Sequence, residues 1–144
     1  MAFRNATAEW KGDLEGGSGS FAGASGKLGG DYSAGSRFGD SGGTNPEELV
    51  AAAHASCFSM ALALVLGKNQ TPPERLTVTA ACTLDEVDGA PRITTVELTV
   101  RARVPGLDKA GLQRNVKEAA DLCPVSNALR GNVAISVRDE LDGG

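Results

Sequence analysis

Aromatic rings are scarce in this chain. They make up 4% of its 144 residues, so any core has to be filled by Val, Leu, Ile and Ala. Excess positive charge is missing too: 18 acidic against 14 basic side chains leave a net charge of −4, with no basic stripe for phosphates, which argues against a nucleic-acid partner. There is one histidine, His54, and no pair of cysteines spaced as CxxC, so a zinc site would need scattered ligands and is set aside. The three cysteines, Cys57, Cys82 and Cys123, are an odd number at wide spacing, a poor framework for structural disulfides. The opening residues Met1 to Trp10 carry no apolar signal-peptide segment. No charge-free apolar run is read as long enough to cross a bilayer, so the expectation is a cytoplasmic protein without a membrane partner.

The chain length favours a single domain over residues 1–144. Its 19 glycines crowd between Gly12 and Gly43, a stretch expected to be strands and tight turns without helix. The glycines do not form a phosphate-binding loop, because no Gly-Lys-Ser/Thr ending follows them. Thr44-Asn45-Pro46-Glu47-Glu48 then announces a long helix. Asn45 can cap it, Pro46 suits the first helical position, and Gly67 is expected to stop it after about Leu66. Leu49, Ala53, Cys57, Met60 and Leu64 fall on one stripe, and Val50, Ala61, Leu62, Val65 and Leu66 carry the apolar surface nearly all the way round. Such a helix is buried on several sides, which in a short chain points to a partner subunit.

Beyond Pro72-Pro73, Leu76 to Leu84 alternates in the manner of a strand; Asp88-Gly89 is a turn, and Val96 to Val104 alternates again. Residues 108 to 122 read as helix, broken at Cys123-Pro124, with a short second helix from Pro124. A last strand carries Val133, Ile135 and Val137 on one side. This order gives an α+β fold, with antiparallel sheets packed around a long central helix.

Three kinds of residue carry candidate chemistry. Cys57 lies mid-helix, roughly 16 Å from the helix start, too far for the helix dipole to activate it. It is either a buried core thiol or a nucleophile that needs a cation brought to it. Cys123 sits at a helix break, either as a small residue at a kink or as an accessible thiol. Cys82 alternates with Leu76, Val78 and Ala80 on an inward face and reads as core. Arg37 reads as a solvated residue of a loop before the helix, and Glu47 as a first-turn acid. His54 stands one turn before Cys57, but no third group completes a catalytic set.

The stretch Thr44 to Leu62, with His54-Ala55-Ser56-Cys57-Phe58-Ser59-Met60 at its centre, closely resembles the central-helix signature of the osmotically inducible protein C (OsmC) family and its sister group, the organic hydroperoxide resistance (Ohr) proteins. Cys123-Pro124-Val125-Ser126-Asn127-Ala128-Leu129 resembles the second signature, and Ala8 to Leu14 looks like the OsmC start. The resemblance covers essentially the whole chain and leans to the OsmC side. It implies an organic hydroperoxide reductase acting in oxidative and osmotic stress defence; because Glu47 and Cys57 are ten residues apart and on nearly opposite faces of a helix that is apolar almost all round, an intertwined homodimer with active sites at the subunit interface is expected. Cys57 matches the peroxidatic position and Cys123 the resolving one. Arg37 matches the arginine that contacts the reactive thiolate, and Glu47 the acid that holds that arginine. The resemblance implies no haem, flavin or metal cofactor, and an external dithiol reductant such as a lipoylated protein. An apolar surround of Phe58, Met60 and Val125 would favour bulky organic peroxides. Two other readings stand beside this one: a redox-sensing or thiol-binding module without turnover, and a structural protein with inert thiols.

Overall fold

Strands form in the glycine-rich stretch because its few large side chains stack in register while glycines clear space for them. β1 (Ala6–Lys11), β2 (Ser18–Gly23) and β3 (Gly29–Tyr32) make an antiparallel sheet in the order β1-β2-β3. Trp10, Gly19 and Tyr32 occupy one cross-strand row. The Trp10 and Tyr32 rings, 5.6 Å apart, close over Gly19, where an added Cβ would lie 2.5 Å from the Tyr32 ring. Gly17 is equally constrained, since a Cβ there would come within 2.3 Å of the Asp13 carbonyl oxygen.

A short helix, α1 (Ala34–Phe38), follows β3 and corrects the expectation that no helix lies between Gly12 and Gly43. It is nucleated by a reciprocal serine cap. The Ser33 hydroxyl accepts the Ser36 amide at 3.1 Å, and the Ser36 hydroxyl accepts the Ser33 amide at 2.8 Å. Arg37 is therefore a helical residue, not a loop residue.

The computed structural model describes residues 1–142. The chain forms two compact units, Met1–Leu49 and the remainder from Val50 onward. The buried hydrophobic side chains among the described residues all belong to the second unit, from Phe58 to Cys123. The first unit buries only Gly19, Ser36 and Glu47.

The second unit takes in most of α2 (Pro46–Lys68), then β4 (Arg75–Val87), β5 (Ala90–Arg103), α3 (Lys109–Leu122), α4 (Pro124–Leu129) and β6 (Ala134–Leu141). α2 begins as its sequence demands, with the Asn45 side chain accepting the Glu48 amide at 2.8 Å. It runs past Gly67. The left-handed residue that ends it is Gln70, with φ of 63°, and the Thr71 amide turns back to the Leu66 carbonyl at 2.9 Å. Gly67 as the stop is thus corrected. So is the expectation that no apolar run reaches membrane-spanning length: α2 has 23 residues, with mean hydropathy 2.0 over its most apolar 18. Its polar members His54, Ser56 and Ser59 sit among small alanines, and that mixture hid the run.

β4 and β5 form a hairpin closed by Asp88 and Gly89, both at positive φ, as a two-residue turn requires. β6 pairs with β5 in parallel, so this sheet, β4-β5-β6, is mixed; the expected antiparallel sheet is corrected. The crossover through α3 and α4 carries the chain back to the starting end of β5 and leaves a parallel pairing as the outcome.

Val96, Leu98, Val100 and Ala102 of β5 pack with Phe58, Leu62, Val65 and Leu66 of α2 and with Leu112, Val116 and Ala119 of α3. The buried stripe on α2 is therefore His54, Phe58, Ala61, Leu62, Val65 and Leu66. The stripe expected from the sequence lies mostly outside it: Met60 is 73% exposed and Leu64 53%. A helix apolar nearly all round has no preferred phase, and the sheet took the face carrying its phenylalanine and two evenly spaced leucines. Phe58→Ala should cost about 3–5 kcal/mol in denaturant unfolding. A loss under about 1 kcal/mol would place Phe58 outside the working core.

Candidate active site

Cys123 owes its position to the proline after it. Pro124 has no amide hydrogen to continue α3 and disfavours helical backbone in the residue before it. Cys123 is accordingly extended, with φ of −64° and ψ of 114°, and serves both as the C-cap of α3 and the N-cap of α4. It is fully buried, and its sulfur accepts the Ser126 amide at 3.5 Å. α4 is tied back to the open carbonyls of α3: the Asn127 side-chain Nδ2 donates to the Asp121 carbonyl at 3.3 Å, and the Arg130 guanidinium to the Ala120 carbonyl at 3.0 Å. Arg130 also donates to the Asn127 side-chain oxygen.

Cys57, half-buried on α2, meets this break. Its thiol lies beside the thiol of Cys123 and the backbone amide of Val125. Both cysteines are thiols. Burial pushes the Cys57 thiol above its ordinary value; the Val125 amide opposes that push, and the neighbouring Cys123 adds to it. Within this unit Cys57 is thus a protonated thiol at neutral pH, in keeping with the dipole of α2 being too remote to activate it.

One turn before Cys57 on α2, His54 is completely buried, and its Nε2 lies 2.7 Å from the Ser126 hydroxyl. Its Nδ1 has no hydrogen-bond partner among the described residues. Burial lowers its pKa, so the imidazole is neutral.

In the first unit, α1 presents Arg37 to Glu47 in the opening turn of α2. The Arg37 Nη2 is 2.8 Å from the Glu47 carboxylate, and its Nε lies 3.3 Å from both oxygens. The Glu47 side chain is 8% exposed and Arg37 38%, so the buried carboxylate is neutralised by a fork with N–H groups to spare. The guanidinium also sits over the Phe38 ring, 5.5 Å from its centroid.

The four residues singled out in the sequence thus form two pairs, one in each unit: Arg37 with Glu47, and Cys57 with Cys123. Cys82 packs against the core opposite Val96, as its alternation implied. Phe58 is wholly buried, so it does not line an open peroxide pocket; that part of the expected surround is corrected. Sequence reasoning undervalued His54 and Ser126. No spacing rule on α2 flags their contact, because His54 and Ser126 are 72 residues apart in the chain.

The OsmC-like protein family model matches residues 39–138, and the chain belongs to that family. It is 40% identical over 129 residues to peroxiredoxin OsmC of Escherichia coli, covering 89% of this chain and 90% of that protein. It is 40% identical over 96 residues to the organic hydroperoxide resistance protein of Xanthomonas axonopodis pv. citri, covering 66% of each. The crystal structure of OhrB, the organic hydroperoxide resistance protein of Bacillus subtilis, superposes with a TM-score of 0.72 at 30% identity, over 94% of this chain and 98% of that one. These relatives are named for peroxidase-type roles, and the fold of OhrB is the one described above.

Because Cys123 contributes to holding Cys57 protonated, Cys123→Ala should move the alkylation midpoint of Cys57 to lower pH. The rate of Cys57 modification at neutral pH, read by peptide mass, should rise roughly threefold or more. An unmoved midpoint would show that burial alone sets the thiol.

Proposed function

We propose that the chain is a cysteine-based peroxidase that reduces organic hydroperoxides to alcohols. The observation that carries this reading is the direct pairing of the Cys57 and Cys123 thiols beside the Val125 amide. The Cys57 thiolate attacks one peroxide oxygen; the O–O bond breaks, an alcohol leaves with a proton, and Cys57 becomes a sulfenic acid. The Cys123 thiol then displaces the hydroxyl, forming a disulfide and releasing water. An external dithiol, such as a dihydrolipoyl group, reopens the disulfide by exchange and is itself oxidised. Arg37, held by Glu47, supplies the positive charge that burial makes necessary, stabilising the thiolate and the developing alkoxide. The two units act together as one domain spanning residues 1–144, in the cytoplasm.

The same reading includes an intertwined homodimer. A unit of 49 residues without a buried hydrophobic side chain is poorly equipped to stand alone. The exposed side of α2 offers Met60 and Leu64 beside the small Ala52, Ala53 and Ala63. Two such helices crossing antiparallel about a two-fold axis would cover that side. Arg37 and Glu47 are paired within one chain, so whichever chain donates one donates both.

Cys57→Ser should abolish turnover, and Arg37→Met should slow it about tenfold or more at neutral pH. The shared site is tested by mixing these two variants. A statistical mixture should recover roughly a quarter of wild-type turnover, because each mixed dimer holds one complete site. A mixture no more active than its parents would mean that Arg37 serves its own chain. Single oxidation without steady dithiol-driven turnover in the wild type would instead favour a redox-sensing module.

A further inference from the structure

The buried contact between His54 and Ser126 has no part in the chemistry above, yet it brackets it. His54 lies three residues before Cys57 on α2, and Ser126 three residues after Cys123 on α4. Both are almost completely buried, His54 at 0% and Ser126 at 2% exposure. Their 2.7 Å hydrogen bond joins positions 72 residues apart in the chain. It ties the same two helical turns that the two sulfurs tie.

The remaining polar ties of α4 described above, from Asn127 and Arg130, run to the end of α3. Between α2 and the start of α4 three polar neighbourhoods fall together: the Cys57 and Cys123 thiols, the Val125 amide beside Cys57, and the hydrogen bond of His54 with Ser126. The first two involve the sulfur that changes. When Cys57 gains a sulfenic oxygen, the Cys123 thiol and the Val125 amide both face a different group. The contact between His54 and Ser126 contains no reacting atom and survives that step. An apolar side chain at position 54 would pack without leaving an imidazole nitrogen unpaired, as Nδ1 is left here.

We propose that His54 is a positioning residue for the resolving step: through Ser126 it holds the first turn of α4, with Cys123, against Cys57 after Cys57 has been oxidised. The proposal rests on the reading that a Cys57–Cys123 disulfide forms. The step itself is the condensation of the Cys57 sulfenic acid with the Cys123 thiol, forming one S–S bond and releasing one water. His54 takes no part in the proton or electron balance.

The experiment is a single turnover with one equivalent of tert-butyl hydroperoxide, followed in two channels. A 1,3-diketone probe traps the sulfenic acid, and peptide mass spectrometry follows the disulfide. In His54→Leu and in Ser126→Ala, peroxide consumption should stay within about twofold of wild type, while disulfide formation slows about tenfold or more. Sulfenic acid should accumulate and pass to sulfinic acid when peroxide is in excess. The double variant should be no slower than either single one, because both remove the same contact. His54→Gln, which can keep a hydrogen bond to Ser126, should restore much of the rate. Equal slowing of both steps would show general loosening and overturn the proposal, as would an unchanged disulfide rate. Failure of the underlying reading appears elsewhere, in a wild-type protein that forms no Cys57–Cys123 disulfide at all.

Discussion

A proline that cannot continue a helix organises the sulfur site. Pro124 ends α3 at Leu122, turns Cys123 into a cap shared by two helices, and starts α4 with Val125 and Ser126 placing their amides beside the two sulfurs. Without that break the chain would run on as one helix, and Cys123 would be one more buried residue of its stripe. Asn127 and Arg130 reinforce the break by satisfying carbonyls that the interrupted helix leaves open.

The core serves the same end. Burying Phe58, Leu62 and Leu66 against β5 rotates α2 so that His54 faces inward and Cys57 sits at the border of the core. That border position explains the state of the thiol. It is buried enough to stay protonated, and the groups around it in the second unit do not reverse the effect. On the reading proposed above Cys57 depends on a cation, and Arg37, already oriented by Glu47, is the one assigned. A fork already bound to a buried carboxylate has few conformations left to lose when it meets an anion.

Much of this was legible in the residues, and the parts that were not share a cause. The start of α2 is written locally in Asn45-Pro46, the β4–β5 hairpin in alternation and Asp88-Gly89, and the α3–α4 break in Cys123-Pro124. Each depends on neighbours in sequence. The buried face of α2 was misread because apolar residues on nearly every side leave the choice to the sheet it meets. The end of the helix moved from Gly67 to Gln70 because tertiary contacts, among them Asn69 with Asn115 at 2.8 Å, outweigh one glycine. The parallel pairing of β6 follows from the crossover path, and α1 from a serine cap that glycines on both sides obscured. His54 was undervalued because its partner Ser126 is distant in sequence, and spacing near Cys57 said nothing of it.

On the reading proposed above, Cys57 and Cys123 form one redox pair. It is tested most directly by treating the reduced protein with one equivalent of an organic hydroperoxide and mapping its peptides by mass. One equivalent of alcohol and a single disulfide joining Cys57 to Cys123 are expected, with Cys82 outside the bridge. A bridge through Cys82, or alcohol formed with no bridge between Cys57 and Cys123, would contradict it.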